Sequence, residues 1–348
     1  MSKNQKPILI TGGFGYVGSC LTAHLLEHGY KVRVIDLMLY GDSGLQALNK
    51  QFSPQLLQEH FSFVQGDIRD PKTVEKAMAG VECIIHLAAI SNDPTGEVDE
   101  TLTRQVNFDA VGLLISLAKK AGVSRFINAS SSSVFGIQET AAITEELEPK
   151  PLTYYSKYKM LAEWIVVGAN QPGFCTVNIR PATICGVSPR QRFDLTVNKL
   201  TADGVMKKKI TVHGGEQRRP NVGITDMVNL YRFLIDCEAW KIEGKTFNFG
   251  FENHKIIDIA RIIEQELQDL NVSISITDTL DKRDYHIAAD KITKDLGYKP
   301  VSSICTEVKN LRKALEAGQF PNIDDKQYYN MQVMSLDRSP SPYQYLGA

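Results

Sequence analysis

Tyr155 and Lys159 stand four residues apart in Tyr155-Ser156-Lys157-Tyr158-Lys159, a spacing that places both on one face of a helix. A phenol with an ordinary pKa of about 10 is a poor base near neutrality. An ammonium beside it stabilises the phenolate, which can then take a proton from a substrate hydroxyl. Tyr154 and Tyr158 have no lysine at that spacing and are second choices. Taken alone, such a pair is also common on helix surfaces. Upstream, Ser130-Ser131-Ser132-Ser133 precedes Val134-Phe135-Gly136 and follows an apolar run. A hydroxyl at the C-terminal end of a strand can hold a reacting oxygen beside the tyrosine. On these residues alone a Ser-rich loop is equally open.

A second constellation says what the proton transfer is coupled to. Thr11-Gly12-Gly13-Phe14-Gly15-Tyr16-Val17-Gly18 carries G-x-x-G-x-x-G between an apolar run and an amphipathic one. Gly12 permits a tight turn, Gly15 lets the backbone approach a pyrophosphate, and Gly18 allows close helix–strand packing. The helix start offers free N–H groups and a partial positive charge to the anion. Asp36 closes the second apolar run, where an acid bonds an adenosine ribose. A carboxylate there repels a 2′-phosphate, so NAD is favoured over NADP. Arg33 precedes Asp36 and does not overturn this. The charge of oxidised NAD would further stabilise a Tyr155 phenolate, with hydride leaving to the cofactor.

Apolar runs at 8–11, 31–36, 61–64, 81–87, 125–129 and 175–180 read as strands. Helical patterns at 16–28, 71–78, 97–121 and 152–169 alternate with them. The fold class that follows is α/β: a doubly wound parallel Rossmann sheet with a smaller C-terminal α/β substrate lobe. After Pro181 the rhythm changes. We place an NAD-binding domain at 1–183, a substrate-binding lobe at 184–330 and a tail at 331–348. Residues 218–250 are expected to return to the main sheet, through a helix at 226–238 and a strand at 246–250. A helix at 256–270 and a strand at 273–277 follow. Beyond Tyr328 no periodicity remains, so a loosely held tail is expected.

A chain of 348 residues is longer than one core usually organises. A net charge of -1 gives no electrostatic reason for nucleic acid or membrane as partner. Lys207-Lys208-Lys209 reads as a solvated helix end. The six cysteines form no C-x-x-C pair and suit a reducing cytoplasm. The polar start and the lack of a bilayer-length apolar run add to that cytoplasmic expectation. His24-Leu25-Leu26-Glu27-His28 fits the H-x-x-E-H pattern of inverted zinc peptidases. Its helix is already explained by the glycine turn and no third ligand is suggested, so no metal is expected.

Together with these motifs, Gly66-Asp67-Ile68-Arg69-Asp70, His86-Leu87-Ala88-Ala89, Asn107 and Arg180 make the sequence resemble the extended short-chain dehydrogenase/reductases. It is most similar to their NAD-dependent sugar epimerase/dehydratase family, from about residue 7 to 330. The resemblance implies Ser131, Tyr155 and Lys159 as catalytic residues. It implies NAD contacts from Gly12, Phe14, Gly15, Tyr16, Val17, Gly18 and Asp36. Asp67 and Ile68 would flank the adenine, and Leu87, Ala88 and Ala89 would line the cleft. Asn107 and Pro181 would add contacts, and Lys159 would bond the nicotinamide ribose. For substrate it implies Ser132, Ser133 and Thr183, with Arg219 and Arg283 gripping a nucleotide diphosphate.

Residues 188–195 with Asn198 resemble a subgroup of sugar epimerases, which points Arg192 and Asn198 at the substrate. Ser132 and Ser133 stand where sugar 4,6-dehydratases carry an Asp-Glu pair, which argues against loss of water. Thr183, Cys185 and Gly223 depart from frequent Asn, Tyr and His and leave the sugar open. The expectation is an NAD-dependent nucleotide-sugar epimerase working through a keto intermediate. The alternative is a dehydrogenase or keto-sugar reductase of the same family. A homodimer through 97–121 and 152–169 is implied by the resemblance.

Overall fold

The computed structural model describes residues 6–138, 140, 142–279 and 286–336. Six strands come first: β1 (Ile8–Thr11), β2 (Val32–Asp36), β3 (Phe61–Gln65), β4 (Cys83–His86), β5 (Arg125–Ala129) and β6 (Cys175–Pro181). There follow β7 (Thr183–Cys185), β8 (Lys209–His213), β9 (Arg218–Gly223), β10 (Lys245–Phe249), β11 (Glu252–Lys255) and β12 (Ser273–Thr277). The main sheet runs β10-β6-β5-β4-β1-β2-β3, every pairing parallel. Helices cover both of its faces, because a parallel sheet needs crossovers that return over it. In β1, Ile8 and Ile10 enter one apolar cluster and Leu9 the other, as strand alternation requires. The fold is thus the doubly wound Rossmann arrangement expected from the alternating runs.

The other lobe has its own core. Helices Thr196–Lys207, Ile256–Glu266 and Ile304–Glu316 bury Leu200, Ile259, Ile263 and Val308 around Phe193. Beside them lie a three-stranded sheet, β11-β9-β7, and a two-stranded one, β12-β8. Of the stretch 218–250, β10 joins the main sheet and helix Ile224–Asp236 packs on helix Tyr16–Glu27. β9 does not return; it pairs with β7 and β11.

Two further expectations are corrected. The helix expected over 97–121 is broken into Glu100–Arg104, a π-helical turn Gln105–Asp109 and Ala110–Lys120. The turn presents Asn107, whose Nδ2 donates to the Ile90 carbonyl while its Oδ1 accepts from the Ile90 N–H, both at 2.9 Å. Those two bonds outweigh regular helix winding at that point. The tail expected beyond Tyr328 begins as helix Asn330–Leu336. Met334 packs into a core cluster and Asn330 is buried, so seven residues are ordered by tertiary contacts without any periodic pattern. Among the described residues no helix is long and apolar enough to cross a membrane.

Candidate active site

A cleft of about 410 Å³ opens along the C-terminal ends of the main-sheet strands, where doubly wound sheets bind ligands. At one end sits the glycine turn. Gly12 has φ +72°, a left-handed conformation suited to glycine. A Cβ on Gly18 would stand 2.1 Å from the Gly12 carbonyl oxygen, so Gly18 is needed for the turn to close on itself. Gly15 starts helix Tyr16–Glu27 without a side-chain cap and with no acid in the first turn. The free N–H groups of that helix end therefore face the cleft.

Asp36, at the end of β2, accepts from the Phe14 N–H at 2.9 Å and the Met38 N–H at 2.8 Å. Burial pushes its carboxyl above the usual range, and the two N–H bonds pull against that. An anion site at a helix start, with an acid two dozen residues on, fits the diphosphate and ribose of NAD. Phe14, Tyr16, Val17, Asp67, Ile68, Leu87, Ala88, Ala89 and Pro181 line the same cleft. Asn107 does not; it buttresses the loop that follows β4 through Ile90.

Helix Tyr154–Gly168 carries the tyrosine and lysine. Thr153 begins it with a capping box in which Thr153 Oγ1 accepts from the Ser156 N–H. Gly96 lets the helix come close, since a Cβ there would meet the Tyr155 Cβ at 2.7 Å. Lys159 Nζ donates to the Ala129 carbonyl at 2.7 Å. Burial lowers the Lys159 pKa to about 8, against the pull of Glu163. Ser131 caps a short 3-10 turn at the end of β5, accepting from the Ser133 N–H. Ser131, Ser132, Ser133, Tyr155 and Lys159 all line the cleft.

Asp93 was not singled out in the sequence, yet it ties these parts together. It accepts from Ser133 Oγ at 3.2 Å and from Thr153 Oγ1 at 2.6 Å, joining the serine turn to the start of the tyrosine helix. Its only sequence signal is the Asn92-Asp93-Pro94 helix start, which reads as a cap rather than a site.

From the second lobe come Thr183, Arg192 and Arg219, all lining the cleft. Arg192 is paired with Asp194 through Nε at 2.8 Å and Nη2 at 2.9 Å. Asn198 stands back from the cleft wall. It donates to Tyr16 Oη and the Arg192 carbonyl and accepts from the Gly186 N–H, joining the two lobes. Arg283 lies outside the described residues. At Gly223, in place of the frequent His, a Cβ would meet Glu307 Oε1 at 2.6 Å, so a side chain there requires Glu307 to shift.

Two histidine environments matter for charge. His86 Nδ1 lies 2.7 Å from Thr11 Oγ1, and burial, helped by Lys159, depresses its pKa to about 3. The unfolded chain binds a proton near 6.5 and the folded one does not, so this stability is present above that pH and is lost on acidification towards 3. Between pH 7 and 4 the wild type is expected to lose a few kcal/mol, on the order set by such shifts, relative to His86→Asn in urea melts. His24, Glu27 and His28 bring their ligand atoms within 4.8 Å of one another. Burial, then His28 and Arg232, lowers the His24 pKa to about 4, so that imidazole is neutral near pH 7.

The NAD-dependent epimerase/dehydratase family model matches residues 8–250. The chain is 29% identical over 274 residues to UDP-glucuronic acid decarboxylase 1 of Xenopus tropicalis, covering 76% of this chain and 61% of that protein. It is 29% identical over 161 residues to UDP-glucose 4-epimerase of Bacillus subtilis, covering 46% of each. The matched stretches span between 42% and 61% of the curated relatives' length. Among solved structures, UDP-glucuronic acid 4-epimerase from Bacillus cereus, in complex with UDP-glucuronic acid and NAD, superposes with a TM-score of 0.78 at 24% identity. That match covers 89% of this chain and 99% of the other. DesIV, a dTDP-glucose 4,6-dehydratase from Streptomyces venezuelae with NAD bound, gives 0.77 at 22% identity over 90% and 98%. The glycine turn, Asp36 and the helix of Tyr155 and Lys159 share one cleft, and the chain belongs to the NAD-dependent epimerase/dehydratase family.

Proposed function

We propose that the protein is an NAD-dependent epimerase of a nucleotide-activated sugar, acting at C4 through a transient keto sugar. The observation that carries this is the sharing of one cleft by Tyr155, Lys159 and the serine turn with the glycine turn, while Arg219 enters from the second lobe. Tyr155 takes the proton of the substrate hydroxyl as the carbon–hydrogen bond of the same carbon breaks. Lys159, fixed on the Ala129 carbonyl, stabilises the phenolate charge. Ser131 hydrogen-bonds the reacting oxygen, with Ser132, Ser133 and Thr183 around the ring. Arg219 holds the nucleotide diphosphate, for which a planar guanidinium is suited. Bound NAD supplies the hydride acceptor and returns the hydride. Tyr155 gives its proton back to the oxygen after the keto sugar has turned its other face.

The test is NMR of purified protein with NAD and a panel of nucleotide sugars that includes UDP-glucose and UDP-glucuronic acid. Interconversion of two C4 epimers without net NADH is the expected result. One oxidised product with matching NADH would make it a dehydrogenase, and release of carbon dioxide would make it a decarboxylase. We also propose a homodimer through the segments 97–121, divided by its π-helical turn, and 152–169. Trp164 and Val167 are 59% and 41% exposed on helix Tyr154–Gly168, apolar area that a second copy would cover. Light scattering should give the mass of two chains.

A further inference from the structure

One short segment, 90–97, touches both the serine turn and the helix of Tyr155. It lies between β4 and helix Glu100–Arg104, and its own helix, Asp93–Gly96, is a single turn. Three of its residues hold the start of the tyrosine helix. Asp93 Oδ1 accepts from Thr153 Oγ1 at 2.6 Å, and Glu97 Oε1 accepts from the Tyr154 N–H at 2.7 Å. Gly96 lies so close that a Cβ on it would stand 3.0 Å from the Tyr155 backbone nitrogen. The other oxygen of Asp93 accepts from Ser133 Oγ at 3.2 Å, and the Ser133 N–H donates to Ser131 Oγ at 3.1 Å. One carboxylate therefore stands between the turn that presents Ser131 and the helix that presents Tyr155.

The corner that aims Asp93 is strained. Asn92 has φ +77° and ψ 157°, a region that glycine alone occupies readily. Such a conformation persists only where its surroundings over-determine it. Here they do. Asn92 Oδ1 accepts from the Thr95 N–H at 2.9 Å, and its Nδ2 donates to Asp194 Oδ2 at 3.1 Å. Before the corner, Asn107 holds both the N–H and the carbonyl of Ile90. Asn330 clasps the next residue. Its Nδ2 donates to Ser91 Oγ at 2.9 Å and its N–H to Asp194 Oδ2 at 3.2 Å, while its Oδ1 accepts from Arg190 Nη2 at 2.6 Å. The segment is thus anchored by Asn107, Asn330 and Asp194 as it turns to present Asp93.

We infer that Asp93 is a positioning residue: it sets the Ser131 turn and the Tyr155 helix against each other, and the Asn92 corner holds it in register. Asp93 acts through Ser133 and Thr153, not on the reacting atoms. A carboxylate suits the task because each of its oxygens accepts from one of the two hydroxyls, whereas an amide offers a single oxygen. The placement matters because a shift of about 1 Å between reacting groups can cost about 100-fold in rate. This rests on Tyr155 as the proton-transfer group of the reading above, and not on which sugar reaction follows.

The experiment isolates the hydride step. The full chain loaded with NADH is mixed with a supplied nucleotide 4-keto sugar, and the loss of NADH absorbance is followed through a single turnover. Hydride passes from NADH to the carbonyl carbon, and Tyr155 gives the proton to its oxygen. Asp93→Ala should slow this step about 10- to 100-fold at saturating sugar, with the affinities for NADH and sugar within about threefold of the wild type. Asp93→Asn keeps one accepting oxygen and should lose less, about 3- to 10-fold, as one lost bond implies. A folded Asp93→Ala protein that oxidises NADH at the wild-type rate overturns the proposal. So does a loss that lies wholly in affinity, which would make Asp93 a binding group. Should Asp93→Ala not fold, Asp93→Asn is read in its place, and a wild-type rate there overturns it. A wild type that takes the hydride step without interconverting C4 epimers defeats the epimerase reading and leaves this one standing. A wild type that takes no such step defeats both.

Discussion

Tyr155→Phe is expected to lower kcat by about 10²- to 10⁴-fold, the span of a lost proton-transfer group. The phenyl ring keeps the packing of Tyr155, which is 8% exposed against the segment around Gly96, so the fold should be unaffected. NAD and nucleotide-sugar affinities should stay near the wild-type values, because the hydroxyl acts when the carbon–hydrogen bond breaks. Steady-state kinetics beside calorimetry separate the two. A variant that still turns substrate over at the wild-type rate would move the base to another residue. A variant that merely loses affinity would make Tyr155 a binding group.

The second large effect is on stability. Glu163 and Arg180 form a buried fork, Nε to Oε1 at 2.8 Å and Nη2 to Oε2 at 2.6 Å, and Arg180 also lies 4.7 Å from the Phe135 ring centre. Their side chains are 3% and 7% exposed. Glu163→Leu strands a guanidinium in the core and should cost about 3–5 kcal/mol in a urea melt. Adding Arg180→Leu should recover most of that loss, because the penalty is the unpaired charge and not the absence of a pair. Glu163 also acts on Lys159 and raises its proton affinity. The single variant should therefore hold the Lys159 proton less well than a group already lowered to about 8.

The first half of the molecule was legible because its strands are short and largely apolar, with Gly12 directly after β1 and Gly66 directly after β3. β1 and β5 fall where the runs 8–11 and 125–129 placed them, and helix Pro71–Met78 starts at its proline. The break at Gln105–Asp109 was not legible, since periodicity cannot report that Asn107 prefers the Ile90 backbone. Between Thr183 and Gly223 the strands are short and their partners distant. β9 pairs with β11 and β7, and no local pattern encodes either pairing. The glycine turn, Asp36, Ser131, Tyr155 and Lys159 could be placed from motifs because each acts through a fixed local geometry. Asn92 and Asp93 could not. They meet their partners across 102 and 60 residues of chain, and only folding brings them together.

The order of the main sheet also bears on how the protein is made. β6 leaves the ribosome long before β10, its neighbour on the sheet, because the segments from Thr183 to Gly223 intervene. During that interval the nascent sheet carries an unpaired edge at β6, the kind of surface that recruits other chains. The clasp at Asn330 is synthesised later still. The loop after β4 and the segment that carries Arg190 and Asp194 are therefore tied together only once helix Asn330–Leu336 has emerged, so the closing of the two lobes on each other is written into the direction of synthesis.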